Sequence, residues 1–253
     1  MWYTFPPLII LIATVFPILW LKRWITLHLQ GVGILVWGDA DIAMLLYFLT
    51  LLPGIVLHEL SHWACARMLG VRTGRMRIWP SRTGGGRMRL GSVRIGQTDH
   101  LRASLIGLAP FITGCAAIYL IGDLILGAGP LIGPLLRADF AAFRSSLSVY
   151  TQASDFWIWI YVIFTISNTM FPSESDRRAW WPVVALLGAM ALLGYAFGLL
   201  EDVPVAVADA WAELVSYLAY ASILTLVVNL GSAAVLALAE KTVEAIKGTR
   251  VAY

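Results

Sequence analysis

Residues 42–69 form one long apolar run, "IAMLLYFLTLLPGIVLHELSHWACARML", and yet His58, Glu59 and His62 stand inside it. About 20 mostly apolar residues suffice to cross a bilayer as a helix. In hydrocarbon the segment must satisfy its own backbone polar groups, which leaves a helix as the form it takes. An ionisable side chain at that depth costs roughly 2.5–3.5 kcal/mol on insertion scales, and such residues usually mark function.

Composition extends the argument to the whole chain. Of its 253 residues, 59% are hydrophobic and 13% charged, whereas a soluble domain is nearer half apolar and a quarter charged. The apolar runs cover the length of the chain, so one membrane-embedded unit, residues 1–253, is expected. Six spans are predicted, at roughly 5–21, 42–69, 104–128, 155–172, 179–200 and 211–239. They divide the unit into a first span and linker (1–40), a central part (41–178) and two final spans (179–253). The expected fold is an all-α polytopic membrane protein with a small membrane-associated β-hairpin or sheet after the second helix.

The N-terminal stretch "MWYTFPPLIILIATVFPILWLKRW" has no positive leading region and no small-residue cleavage site, so a retained span ending at Lys22–Arg23 is expected. Residues 127–140, broken by Gly and Pro, are expected as loop or a short re-entrant piece. Cys65 and Cys115 both lie in apolar segments and read as buried, reduced thiols. The net charge of +3 is small, and no nucleic-acid partner is expected.

The segment 71–100 differs in kind. In Arg75-Met76-Arg77-Ile78, Arg87-Met88-Arg89-Leu90 and Val93-Arg94-Ile95, apolar residues alternate with arginine. A period of two predicts strands, with Pro80 and Gly84-Gly85-Gly86 at the turn. The arginines of 71–102 are expected to touch anionic lipid heads, and an edge strand here can accept an extended peptide. Nine arginines lie between Arg67 and Arg102, two more are Arg177 and Arg178, and Lys241, Lys247 and Arg250 follow near the end, most of the 18 basic residues. Placing these regions on the cytoplasmic side gives a multi-pass protein of the cell membrane with both termini cytoplasmic. Lys22 and Arg23 then fall on the outer side against the rule.

His58-Glu59-Leu60-Ser61-His62 is an HExxH pattern. On a helix, residues four apart share a face about 6 Å apart along the axis. Two imidazoles so placed can both reach one Zn²⁺. Glu59, one residue on from His58, stands beside the metal, where it can take a proton from a water and pass it to a leaving amine. Catalytic zinc sites keep three protein ligands. The other histidines, His28 and His100, lie beside predicted interfaces. The stretch 163–181 offers Asn168, Glu174 and Asp176 at the end of the fourth span, in the same leaflet as the histidines on the arginine-based orientation. Asp176 would have to fold back on a non-helical turn after Pro172, and Glu174 is the alternative carboxylate.

These residues resemble the site-2 protease family of intramembrane zinc metalloproteases. The resemblance rests on HExxH in a membrane helix, the β segment directly after it, and Asn168 and Asp176 at the eight-residue separation of the family's Asn-x-x-Pro-(x)4-Asp-Gly pattern. The proline is displaced by one to Pro172, Arg177 replaces the glycine, and Gly107–Pro110 ("GLAP") is a weaker likeness. It covers roughly 42–178 and leaves no room for a PDZ-like insertion between 71 and 103. It implies a zinc-dependent endopeptidase that cuts a single-span membrane protein, with His58, His62 and Asp176 as ligands and Glu59 as the base. Asn168 is expected to hydrogen-bond the substrate strand or the developing oxyanion, or else a neighbouring helix. The alternative is a non-proteolytic scaffold or subunit of a larger membrane complex on a protease-like fold. A metallopeptidase completed by an E-x-x-x-D/N glutamate is disfavoured, because no glutamate after His62 has Asp or Asn four residues on.

Overall fold

The computed structural model describes residues 7–82, 88–128, 133–134, 139–152, 155–177, 180–196, 198 and 204–251. The glycine turn 84–86 and the loop acids 201–202 lie outside them, as does part of 127–140. Helix α1 is Pro7–Trp37 and α2 is Ala40–Met68. Four short strands follow, β1 Thr73–Arg77, β2 Ser81–Arg82, β3 Met88–Arg89 and β4 Ser92–Ile95. Then come α3 His100–Leu120, prolonged by a π-helical turn Ile121–Ile125, α4 Phe140–Tyr150, α5 Phe156–Thr169 and the single turn α6 Glu174–Arg177. Helices α7, Trp180–Ala196, and α8, Val205–Lys247, complete the described chain.

Four helices, α1, α2, α3 with its π turn, and α8, are long and apolar enough to cross a membrane. The expected count of six is not confirmed, because α5 and α7, as far as they are described, have 14 and 17 residues, fewer than the about 20 that a span usually takes. The first span also needs correcting. Residues 22–37 are helix, not linker, so Lys22 and Arg23 stand at the middle of α1 rather than in an outer loop. The basic pair looks like a span end in sequence, but the apolar pattern resumes at Ile25 and the helix runs on.

The first turn of α2 is fixed by Asp39, whose carboxylate accepts from the N–H groups of Asp41 and Ile42. Such a cap satisfies donors that a helix start leaves free. Helices α1 and α2 form an antiparallel pair, with Gly33 against Ala43 and Thr26 beside Tyr47. Helix α8 runs parallel to α1. Thr14 meets Ser222, His28 meets Glu240, and Lys247 donates to the Val36 carbonyl. The starting end of α1 and the finishing end of α8 thus lie at opposite ends of this pair.

Helix α5 lies parallel to α2, where Tyr161 donates to the Thr50 carbonyl. Gly54 sits directly on the Thr165 backbone, and any side chain there would force the two helices apart. The main core lies between α3, α5 and α8, around Ile118, Ile163, Ile166 and Leu224. The arginine-rich segment folds as nested antiparallel pairs, β1 with β4 and β2 with β3. Met76 faces Val93 and Arg77 faces Ser92, with an irregularity towards Thr73.

Candidate metal centre

His58 and His62 lie one turn apart on α2, with ring planes at 82° and centroids 4.8 Å apart. Their Nε2 atoms are 3.2 Å apart. The Asp176 Oδ1 atom stands 3.5 Å from His62 Nε2. One potential ligand atom from each of the three residues lies within 4.8 Å of the others. Two ligands at about 2.0–2.1 Å on a tetrahedral ion are about 3.3 Å apart. The three side chains form a group that could hold a metal ion. Glu174, the alternative carboxylate, is not in the group.

The surroundings explain why these atoms point together. His62 Nδ1 lies 2.8 Å from the Ile106 carbonyl of α3. A carbonyl only accepts, so Nδ1 carries the proton and Nε2 keeps its lone pair for a metal. The Ile106 carbonyl is free to accept because its helical donor would be residue 110, which is proline and has no N–H. Pro110→Ala would restore that donor and make it compete for the carbonyl. Outer partners of this kind typically carry 10–100-fold in metal affinity. Pro110→Ala is expected to weaken zinc binding by about tenfold, measured by competition with a zinc chelator.

Asp176 is held by its own turn. Its Oδ2 accepts from the Ser173 backbone N–H at 2.7 Å and from the Ser173 hydroxyl at 2.6 Å. The Asp176 N–H lies 3.4 Å from the Ser173 hydroxyl. Ser173-Glu174-Ser175-Asp176 is thus a reciprocal capping box. It uses Oδ2 and leaves Oδ1 facing His62. Gly107 of α3 lies against the Asp176 carbonyl so closely that a Cβ would collide with it. Successive residues of α3 thereby orient one ligand and admit another.

His58 Nδ1 is buried without a well-formed hydrogen bond among the described residues. Glu59 is 7% exposed. The backbone of Gly91, between β3 and β4, is pressed on it, for a Cβ there would come within 2.7 Å of Glu59 Oε1. The β segment therefore covers the glutamate of the motif.

Asn168 is buried and stands with Asn229 of α8. Its Nδ2 donates to Asn229 Oδ1 at 3.0 Å and to the Phe164 carbonyl, and the Ser167 hydroxyl donates to the same Asn229 oxygen. The structure thus places Asn168 in a helix–helix cluster. His28 pairs with Glu240 and stacks on Trp24. Asp99 caps α3 through the Arg102 N–H, which holds its carboxyl below the usual range.

Sequence reasoning passed over three parts of this site. The S-x-x-D box and Pro110 were both visible as patterns, whereas Gly91 carries no signal without the fold. No protein-family model, curated protein or solved structure matches the chain.

Proposed function

We propose that this chain is a zinc-dependent endopeptidase that cuts a membrane-spanning protein within the bilayer. The observation that carries this reading is the convergence of His58, His62 and Asp176 beside Glu59 on an apolar helix. The same residues carry the resemblance to site-2 proteases. When bound, zinc supplies a Lewis acid that polarises a carbonyl and acidifies water.

The chain's own residues do the rest. Glu59, one residue on from His58, accepts the proton of the attacking water and returns it to the leaving nitrogen. Burial beneath Gly91 keeps its carboxyl in one place for both transfers. A helical substrate hides its carbonyls in its own hydrogen bonds and must be opened before attack. The strand edges beside Gly91 offer main-chain partners for an opened, extended segment.

The test uses the full chain purified in detergent. Metal analysis is expected to find about one zinc per chain. Cleavage of a single-span reporter peptide should cease when 1,10-phenanthroline removes the metal and resume when zinc is returned. A preparation that holds no zinc, or that holds one zinc and cleaves none of a panel of single-span reporters, overturns the proposal. Constant stoichiometric partners would then favour a scaffold.

A further inference from the structure

The β1–β4 ribbon has two unlike faces, and an irregularity in its register makes them so. Thr73 pairs with Ile95, Met76 with Val93 and Arg77 with Ser92. Two residues of β1, Gly74 and Arg75, therefore stand against the single residue Arg94, which is the count of a β-bulge. Successive side chains of a strand alternate between faces, so strict alternation would set Arg72 and Arg77 on opposite faces. The extra residue turns the strand and brings them to the same one. Thr73, Met76, Val93 and Ile95 share one face. Arg72, Arg77, Ser92 and Arg94 share the other, with Arg75 in the bulge.

Two glycines leave room for the arginines. A Cβ on Gly74 would lie 3.0 Å from Arg94 Cβ and 3.7 Å from its Cδ, so the Arg94 stem runs over Gly74. A Cβ on Gly96 would lie 3.5 Å from Arg72 Cβ, and the Gly96 N–H donates to the Arg72 carbonyl at 2.9 Å. Arg72 and Arg94 are thus diagonal neighbours across the pair, about 7–8 Å apart at the backbone. Among the described residues, Arg72, Arg75, Arg77 and Arg94 are exposed and in no ion pair. The one acid between residues 67 and 102 is Asp99, which holds the first turn of α3 and Arg102.

The ribbon joins the end of α2 to the start of α3, two helices long and apolar enough to cross a membrane. Its apolar face is also uncovered in part, with Met76 36% and Ile95 37% exposed. A soluble acidic protein would account for the arginines and leave Met76 and Ile95 bare. A lipid accounts for both faces, with acyl chains against one and phosphate against the other. Anionic leaflets attract basic segments, and a guanidinium can grip a phosphate through two parallel hydrogen bonds. A zwitterionic headgroup brings its own cation, so the excess of arginine favours a headgroup without one. We propose that the arginine face of the β1–β4 ribbon binds an anionic phospholipid, with Arg72 and Arg94 on its phosphate. Such binding needs no hydrolytic step.

The full chain in detergent is titrated with dioleoyl phosphatidylglycerol and, separately, with dioleoyl phosphatidylcholine. Native mass spectrometry reads the dissociation constant of the first lipid bound. The wild type should hold phosphatidylglycerol at least about fivefold more tightly than phosphatidylcholine. Arg72→Gln and Arg94→Gln should each weaken phosphatidylglycerol binding about fivefold, the worth of one basic residue at an anionic surface, and leave phosphatidylcholine binding unchanged. Should one variant fail to fold, the other carries the test. Arg144→Gln/Arg250→Gln removes charge elsewhere and should stay within about twofold of the wild type.

A wild type that binds the two lipids equally overturns the proposal, as does wild-type affinity in both arginine variants. An equal loss in Arg144→Gln/Arg250→Gln would reduce the effect to net charge. Displacement of the lipid by millimolar inorganic phosphate would assign the arginines to free phosphate instead. Displacement by micromolar octaglutamate would assign them to an acidic protein segment. Either displacement overturns the lipid assignment.

Discussion

Glu59→Gln retains its zinc and loses cleavage. The amide has nearly the shape of the carboxylate, so it fits the space beneath Gly91. It offers an oxygen that accepts a hydrogen bond but cannot take a proton at neutral pH. Positioned proton transfer is typically worth 10²–10⁴-fold, so turnover of a single-span reporter should fall by at least about 100-fold. Zinc content, measured on the same preparation, should stay near one per chain. Cleavage within about threefold of the wild type would remove Glu59 from the reaction. Joint loss of zinc and cleavage would make it part of the metal's support.

Asp176→Ala separates the third ligand from its neighbour. Only Oδ1 of Asp176 faces His62, and Glu174 on the same turn lies outside the group. Removing Asp176 leaves two imidazoles, so the chain should be purified with well under half an equivalent of zinc. Glu174→Ala should keep its zinc, because it touches neither the histidines nor the bonds between Ser173 and Asp176. The reverse result would move the ligand to Glu174. Ser173→Ala tests the capping box without touching a ligand: it frees Oδ2 from one of its two bonds and should weaken zinc binding less than Asp176→Ala does.

The metal group was legible because it obeys local geometry. His58 and His62 are one helical turn apart, and that spacing alone sets them on one face. Asp176 was legible as a carboxylate at the end of a later apolar segment, and before the fold only its eight-residue separation from Asn168 favoured it over Glu174. The choice between them comes from the capping box, which turns one carboxylate inward and leaves the other outside. Lys22 was misjudged because reading hydropathy along the chain treats a basic pair as the end of a span. In the fold the helix runs on past it to Trp37, and the Lys22 ammonium lies 5.3 Å from the centre of the Phe171 ring in the α5–α6 turn. The pairing of His28 with Glu240 joins residues 212 apart, and no local pattern announces it. The span count of six is not confirmed for a related reason. Apolar character marks a segment for burial, but whether it crosses the bilayer depends on helix length, and α5 and α7 are short.

The parallel pairing of α1 and α8 has a consequence for the making of the protein. Thr14 and Ser222, which bond to each other, are 208 residues apart. At about 5–20 residues per second on the ribosome, α1 waits roughly 10–40 s for the helix that covers it. Until then the flank that will hold Thr14 and His28 faces lipid or the insertion machinery. Helix α1, made well before α8, is therefore locked in place late, and Lys22 rides on it. A nascent chain stalled before α8 would therefore carry His58, His62 and Asp176 already made, but with α1 not yet held by its partner helix.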